Sequence, residues 1–309
     1  MGENRQKWIG HLAILGVYLI FAINVIICKD ITNSRLISPM GLFFLRSLGA
    51  ALLFWLISLF TPREKVPLHD LFSIFGASML GLFATQYTFL NAISLATPID
   101  VALLACFTPI FTMFIAAIVL KEPITIKKAG GVAISFIGVT LLILNTTQAP
   151  TTLAHSHPSG IILMILNALF FALYLGIFRP LINRYHTITF MKWMFLFSTL
   201  AAFPLSFKEL SSINYMLVPT NYWLELGFLI FFATFVAYFL LPIGQKRLRP
   251  TVLSLYTYEQ PLIAAIISIY LGMDVISIQK IIAVVAIISG MILVNKSRAA
   301  ANNLTPTQK

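Results

Sequence analysis

The sequence predicts an all-α integral membrane protein of ten transmembrane helices, arranged as two inverted five-helix repeats. Three observations carry this reading. The 309 residues are 59% hydrophobic and only 10% charged, with a mean hydropathy of +0.92, whereas a soluble domain has about 25% charged residues. Such a chain lacks the polar surface to cover its core in water. Apolar runs of about 20 residues, the length that crosses a ~30 Å hydrocarbon core, recur along the whole chain. The second half also repeats the first.

In chain order the runs fall at about 9–28, 39–60, 71–91, 98–120, 127–145, 159–179, 189–208, 221–243, 251–272 and 276–295. The first, within "MGENRQKWIGHLAILGVYLIFAINVIIC", has a basic start like a secretory signal. Its apolar stretch is longer than a signal's and no A-x-A site follows, so it reads as a membrane helix. The longest connections are "TPREKVPLHD" (61–70) and "TTQAPTTLAHSHPSG" (146–160), and the second reads as the seam between halves. This sets a first repeat over 9–145, a second over 159–295, and tails at 1–8 and 296–309.

The repeat appears on shifting residues 95–142 by 152 positions. Without a gap Pro98 meets Pro250, Pro109 meets Pro261, Lys128 meets Lys280, Gly138 meets Gly290 and Glu122 meets Asp274. Earlier in the halves the offset is about 150, with "ICKDITN" (27–33) over "IFRPLIN" (177–183). Five spans per half is an odd number, so the second half enters the membrane the opposite way up. Inverted repeats of this kind build many secondary transporters, with the substrate site near the midplane between halves.

Lys and Arg set the orientation. With a cytoplasmic N-terminus, 15 of the 21 fall on the inside, Lys29, Arg35, Lys208 and Lys280 outside, and Arg46 and Lys192 within spans. The positive-inside rule then places both termini in the cytoplasm, of a cell (inner) membrane. The formal charge of +11 is scattered between apolar segments, a distribution that orients a membrane protein and does not mark nucleic-acid binding. Cys28 and Cys106 lie in or beside apolar runs, so no disulfide framework is expected.

The stretch "TPIFTMFIAAIVLKEPITIKKAGGVAISFIGVTLL" (108–142), with a weaker copy in "QPLIAAIISIYLGMDVISIQKIIAVVAIISGMILV" (260–294), resembles the drug/metabolite transporter superfamily, in particular its EamA-type ten-helix carriers. The match is to a proline, an apolar helix, a Glu-Pro turn and a glycine-containing helix. The second copy departs in having "GMD" where the family often has Gly-Glu. The resemblance implies a central cavity lined by helices 1, 3, 4, 6, 8 and 9, with helices 5 and 10 peripheral. It also implies rocking of the halves, gated by helix pairs 3–4 and 8–9, and export as a common direction.

Polar residues inside the spans are the candidates for a site. Glu259 lies about eight residues into the ninth run, roughly 12 Å deep at ~1.5 Å per residue. A carboxylate near the bilayer centre costs about 2.5–3.5 kcal/mol or more. Its repeat mate is Phe107, so the fold does not require an acid there. Glu259 either faces a cavity, pairing with a cationic group or carrying a proton, or is structural glue between helices. It is the proton-coupling candidate. Gln260 and Tyr256 share its neighbourhood. Pro261 and Pro109 leave the carbonyls of Thr257 and Ala105 without a donor. The other substrate-binding candidates are Asn24, Gln86, Asn91, Thr108, Tyr174 and Tyr238, with Asn167 alongside; Gln86 and Tyr238 are repeat mates, as are Thr108 and Gln260. For each one, interhelical hydrogen bonding is the competing reading. Arg46 either snorkels to the headgroups or meets an anionic partner. Lys29 and Lys192, nearer helix ends, are expected to snorkel.

The expected activity is secondary transport of small organic metabolites such as amino acids by alternating access, with export as the direction carried over by the resemblance. Proton coupling and uncoupled transport both fit the residues. No P-loop "GxxxxGK[ST]" is present, so ATP is not the direct driver. A nucleotide-sugar or phosphorylated-sugar carrier of the same fold is the alternative, but it should carry Lys or Arg deep in the ninth helix, where Glu259 stands. An intramembrane enzyme would need a nucleophile with its base, or a set such as H-E-x-x-H; no such set is present, and no enzyme activity is expected. No cofactor is expected. No metal is expected either, since His155 and His157 in the seam would need further ligands. The partners expected are a small-molecule substrate and the lipid bilayer, with no nucleic acid; a homodimer is compatible with the sequence.

Overall fold

A computed structural model describes residues 3–34, 36–96, 98–144, 157–213, 218–270 and 277–297. The described residues are helical, joined by short connections. Helix α1 spans Glu3–Asn33, α2 Pro39–Ser58, α3 Leu68–Ser78 and α4 Thr85–Leu95. Then come α5 (Pro98–Ala105), α6 (Thr108–Val119) and α7 (Ile126–Leu144). The second half holds α8 (Pro158–Ile177), a short α9 (Arg179–Arg184), α10 (Thr187–Ser212), α11 (Thr220–Phe228) and α12 (Ala237–Arg247). It ends with α13 (Pro250–Ser254), α14 (Glu259–Tyr270) and α15 (Ile278–Asn295).

The helix starts follow from local chemistry. Ser38 accepts from the Gly41 N–H at the start of α2, with Pro39 in the first turn, and Ser277 accepts from the Lys280 N–H at the start of α15. Both side chains satisfy an amide that has no partner inside its helix. Along the helices large apolar residues such as Leu12, Leu56, Phe75, Ile118, Ile137 and Ile282 are exposed, the surface that a lipid bilayer covers.

Nine described helices are long and apolar enough to cross a membrane, against ten expected. The remaining expected span, the ninth at 251–272, is present as α13, a 3-10 turn at Leu255–Tyr258, and α14; the break shortens its continuous helix. Its residues 271 and 272, like Asp274, lie outside the described residues. The first, third and eighth helices also run several residues beyond the apolar runs, to Glu3, Leu95 and Arg247.

The inverted repeat can be read from hydrogen bonds. Under a two-fold operation, only points near the axis lie against their own copies. Four hydrogen bonds join residues to their repeat mates 152 positions away. They are Ser47 Oγ with Thr199 Oγ1 (2.9 Å), Gln86 Nε2 to Tyr238 OH (3.1 Å), Ser135 Oγ to the Ile287 carbonyl (3.1 Å) and Tyr258 OH to the Cys106 carbonyl (3.2 Å). They join four different pairs of elements, so the pseudo-two-fold axis threads the molecule. Where α7 and α15 cross this axis their backbones touch. A Cβ on Gly138 would lie 2.9 Å from the Ala283 carbonyl oxygen, and one on Gly131 2.7 Å from that of Gly290.

Irregularities repeat as well. The chain winds into π-helix at Met79–Ala84, between α3 and α4, and at Leu229–Val236, between α11 and α12. Shifting the first by 152 gives 231–236, inside the second. Thr234 Oγ1 donates to the Leu229 carbonyl five residues back, at 2.7 Å. Helix 4 breaks between α5 and α6, and Pro109 sits in the first turn of α6. Pro261 likewise falls in the first turn of α14. There a missing N–H removes no interior helix bond. Contrary to the expectation from sequence, the two prolines mark breaks and do not leave the carbonyls of Thr257 and Ala105 free inside a continuous helix.

Candidate functional site

One of the four mate-to-mate contacts, Gln86 with Tyr238, lies in the wall of a cavity of about 310 Å³. On α1 its lining runs from Tyr18 to Lys29, on α4 from Thr85 to Ala96, and on α8 from Met164 to Phe171. These are the stretches of each helix away from the N-terminal side, so the cavity occupies one half of the membrane depth. Tyr238, Thr257, Gln260 and Pro261 form its floor near the middle. The wall is chiefly apolar, with Phe21, Phe89, Phe171 and Ile93 among the lining residues. Neither α7 nor α15 reaches it.

Five of the sequence candidates line the cavity: Asn24, Gln86, Thr108, Tyr238 and Gln260. Asn167 does too, its Nδ2 donating to the Thr85 carbonyl at 2.6 Å. Asn24 Oδ1 accepts from the Cys28 thiol at 3.5 Å. Four candidates do not line it. Asn91 turns back along its own helix, Nδ2 donating to the Tyr87 carbonyl at 2.7 Å. Tyr174 is buried behind the wall, its hydroxyl donating to Gln245 Oε1 at 3.3 Å while its ring fills the space beside Gly81. The Tyr256 hydroxyl shares a 2.6 Å hydrogen bond with His11 Nδ1, on the N-terminal side of the floor. Glu259 is 8% exposed and also lies outside the lining; its Oε2 has no hydrogen-bond partner among the described residues. It sits within electrostatic reach of Tyr18 and Tyr256, whose rings stack at 6.5 Å.

Two cations reach the cavity. Lys29, expected to snorkel, lines it instead, because α1 turns the stripe Tyr18, Phe21, Ala22, Val25, Ile26 and Lys29 inward at helical spacing. That stripe was readable in the sequence and passed over. Arg46 also lines the cavity and is buried, so headgroup snorkelling is ruled out for it. Its Nε donates to Thr234 Oγ1 at 3.1 Å and its Nη1 to Cys28 Sγ at 3.2 Å. Lys192 instead lies over the Trp55 ring, 4.9 Å from its centroid. No group of three potential metal ligands occurs among the described residues; His155 lies outside them.

On the N-terminal side the elements close up. Lys128 Nζ meets Glu122 Oε2 at 2.9 Å, and Arg179 Nη1 reaches Glu122 Oε1 at 3.5 Å. Burial lowers the Arg179 guanidinium from its ordinary value, and the Glu122 carboxylate opposes that shift. Nearby, Asp70 accepts from Arg184 Nη1 at 2.7 Å and from the Tyr185 hydroxyl. The short α13 packs on α6 there. The equivalent contact on the cavity side would join α5 to α14, and among the described residues these meet far less closely than α13 and α6 do.

The EamA-like transporter family matches residues 8–144 and again 158–296. The chain belongs to the EamA-like transporter family. An uncharacterized transporter of Bacillus subtilis, YyaM, is 23% identical over 69% of this chain and 70% of its own. A second uncharacterized transporter, from Archaeoglobus fulgidus, is 27% identical over 66% of this chain and 69% of its own. A solved structure titled only as a crystal structure of a protein superposes with a TM-score of 0.70, covering 95% of this chain and 98% of that one, at 19% identity; it bears on the fold alone. This EamA-like protein is therefore a multi-pass transporter of the drug/metabolite superfamily, embedded in a lipid bilayer and acting on a small-molecule substrate.

Proposed function

We propose that this EamA-like protein is a secondary carrier that moves small amphipathic metabolites, amino acids among them, by alternating access, in the exporting direction. It works in a cell (inner) membrane with both termini cytoplasmic, and it is a carrier and not an enzyme. The observation that carries the reading is the one-sided cavity on the pseudo-two-fold axis: α13 is packed on α6 at one face, while at the other α5 and α14 both line the cavity and, among the described residues, meet far less closely. With 15 of 21 basic residues on the N-terminal side, the cavity then faces outward. The repeats at 9–145 and 159–295 are the two bodies that rock. Asn24, Gln86, Thr108, Tyr238 and Gln260 contact substrate.

Glu259 is the coupling residue in this proposal. It lies beneath the cavity floor with one oxygen unpartnered among the described residues, where a protonated carboxyl is stable and an ionised one needs a cation. The test is flux of an amino-acid and metabolite panel in proteoliposomes, with and without a pH gradient, comparing wild type with Glu259→Gln. A gradient that drives flux only in the wild type supports coupling. Equal flux from both proteins at every pH makes Glu259 interhelical glue and leaves an uncoupled carrier.

A further inference from the structure

We infer that the transported molecule carries an anionic group, a carboxylate in the simplest case, which docks on Arg46 while an apolar body lies against the phenylalanine wall. This rests on the carrier proposal above and narrows its substrate class.

Arg46 is 3% exposed and yet lines the cavity. A guanidinium has five N–H donors and cannot be deprotonated in a protein. Two of the five are used, on Thr234 Oγ1 and Cys28 Sγ. The rest have no protein acceptor among the described residues, and no carboxylate pairs with Arg46 there. Both partners it does have are neutral. Thr234 donates its own hydrogen to the Leu229 carbonyl, and the buried Cys28 side chain lies 3.5 Å from Asn24 Oδ1, a contact that suits a thiol. Charged side chains at this depth almost always pair with one another or with carbonyls, so a guanidinium held in place and left short of an anion is a group waiting for one.

The fold does not demand the charge. The repeat mate of Arg46 is Ser198, at the matching place on α10, beside the axial bond of Ser47 with Thr199. One half thus carries a cation where the other carries a hydroxyl, and the asymmetry falls at the cavity. The π-helix at Leu229–Val236 is what presents Thr234 to Arg46, a fixed acceptor that orients the fork. Lys29, farther from the floor along the same cavity, adds a second cation on the path to Arg46. The apolar remainder of the wall selects against a molecule that is polar throughout.

The test uses full-length protein in neutral, lipid-free detergent, so that no anionic lipid headgroup competes. The probes are 4-methylpentanoate, L-leucine, 3-methylbutylamine, 4-methylpentanamide and glucose 6-phosphate, read by ligand-induced thermal shift and by counterflow after reconstitution. 4-Methylpentanoate and L-leucine should bind at least tenfold more tightly than the amine and the amide. Glucose 6-phosphate, anionic but without an apolar body, should bind more weakly than either. Arg46→Gln should lose at least tenfold in affinity for the two carboxylates, with Arg46→Lys recovering part of it. Amide or amine binding as tight as carboxylate binding overturns the inference in the wild type alone, whether or not the variants fold. Flux of the amine or amide without flux of carboxylates overturns it while leaving the carrier proposal standing. Tight binding of glucose 6-phosphate alone overturns the apolar-body half. No flux from any probe overturns both.

Discussion

Lys128 and Arg46 are both buried cations, and they are held in opposite ways. Lys128, 0% exposed, has the Glu122 carboxylate 2.9 Å away, whereas Arg46 has only neutral partners. Removing one member of a buried pair leaves the other charged and desolvated, at about 3–5 kcal/mol. Glu122→Gln should therefore cost about that much, because it strands Lys128. Lys128→Met should cost less, since Glu122 keeps Arg179, and the double variant should recover much of the loss. Unfolding in detergent would check this; a Glu122→Gln protein as stable as wild type would show that water or lipid reaches the pair. At this scale the sequence was only partly legible. Gln86 and Tyr238 stood out as repeat mates and do meet, at 3.1 Å. Asn91, Tyr174 and Tyr256 were polar residues in the right spans but direct their hydrogen bonds away from the cavity, Asn91 on its own helix and the tyrosines on Gln245 and His11 of other helices. Which face a side chain takes depends on helix rotation, and the π-helical segments shift that rotation with no proline to announce it.

The helices themselves were legible because bilayer thickness sets their length. Their starts follow serine and proline signals. Nine of the ten runs are helices long and apolar enough to cross a membrane among the described residues, while the ninth run is interrupted by a 3-10 turn. At Pro109 and Pro261 the sequence pointed only to a carbonyl left without its donor; the structure sets each proline in the first turn of a new helix. The pairing of α7 with α15 was also carried in the residues, through Gly138 and Gly290, though the resemblance placed these helices only as peripheral. A Cβ on Gly138 would press on backbone, the Ala283 oxygen at 2.9 Å, and backbone cannot swing aside as a side chain can. Overpacking costs about 1–3 kcal/mol and sometimes more. Gly138→Leu should lower the melting temperature accordingly and reduce flux, while Gly130→Leu, where a Cβ meets nothing within 4 Å, should leave both nearly unchanged. Equal tolerance at the two positions would mean that α7 and α15 separate freely.

At the scale of the whole molecule, some contacts obey the pseudo-symmetry and others break it. Gly10 packs against Arg247 and Leu248 on one side, and its mate Gly160 packs against Leu95 on the other, so the α1–α12 and α8–α4 interfaces are present in both halves at once. Among the described residues the contact of α13 with α6 is far closer than that of α5 with α14. Interchanging the conformations of the two halves would close the second and open the first, leaving the shared interfaces intact. Spin labels at Ala102 and Ile263, on α5 and α14, should therefore move closer when a transported substrate is added, towards the spacing now held by their mates Ser254 and Phe111. A single distance that substrate leaves unchanged would contradict this motion. The four hydrogen bonds along the axis have a further consequence. Each joins a residue to its own copy, and none depends on the seam between 144 and 158, so severing the chain there would leave all four in place. The protein is in effect an antiparallel pair of five-helix subunits, the arrangement that an unfused ancestor would have reached by inserting identical chains into the membrane in both directions.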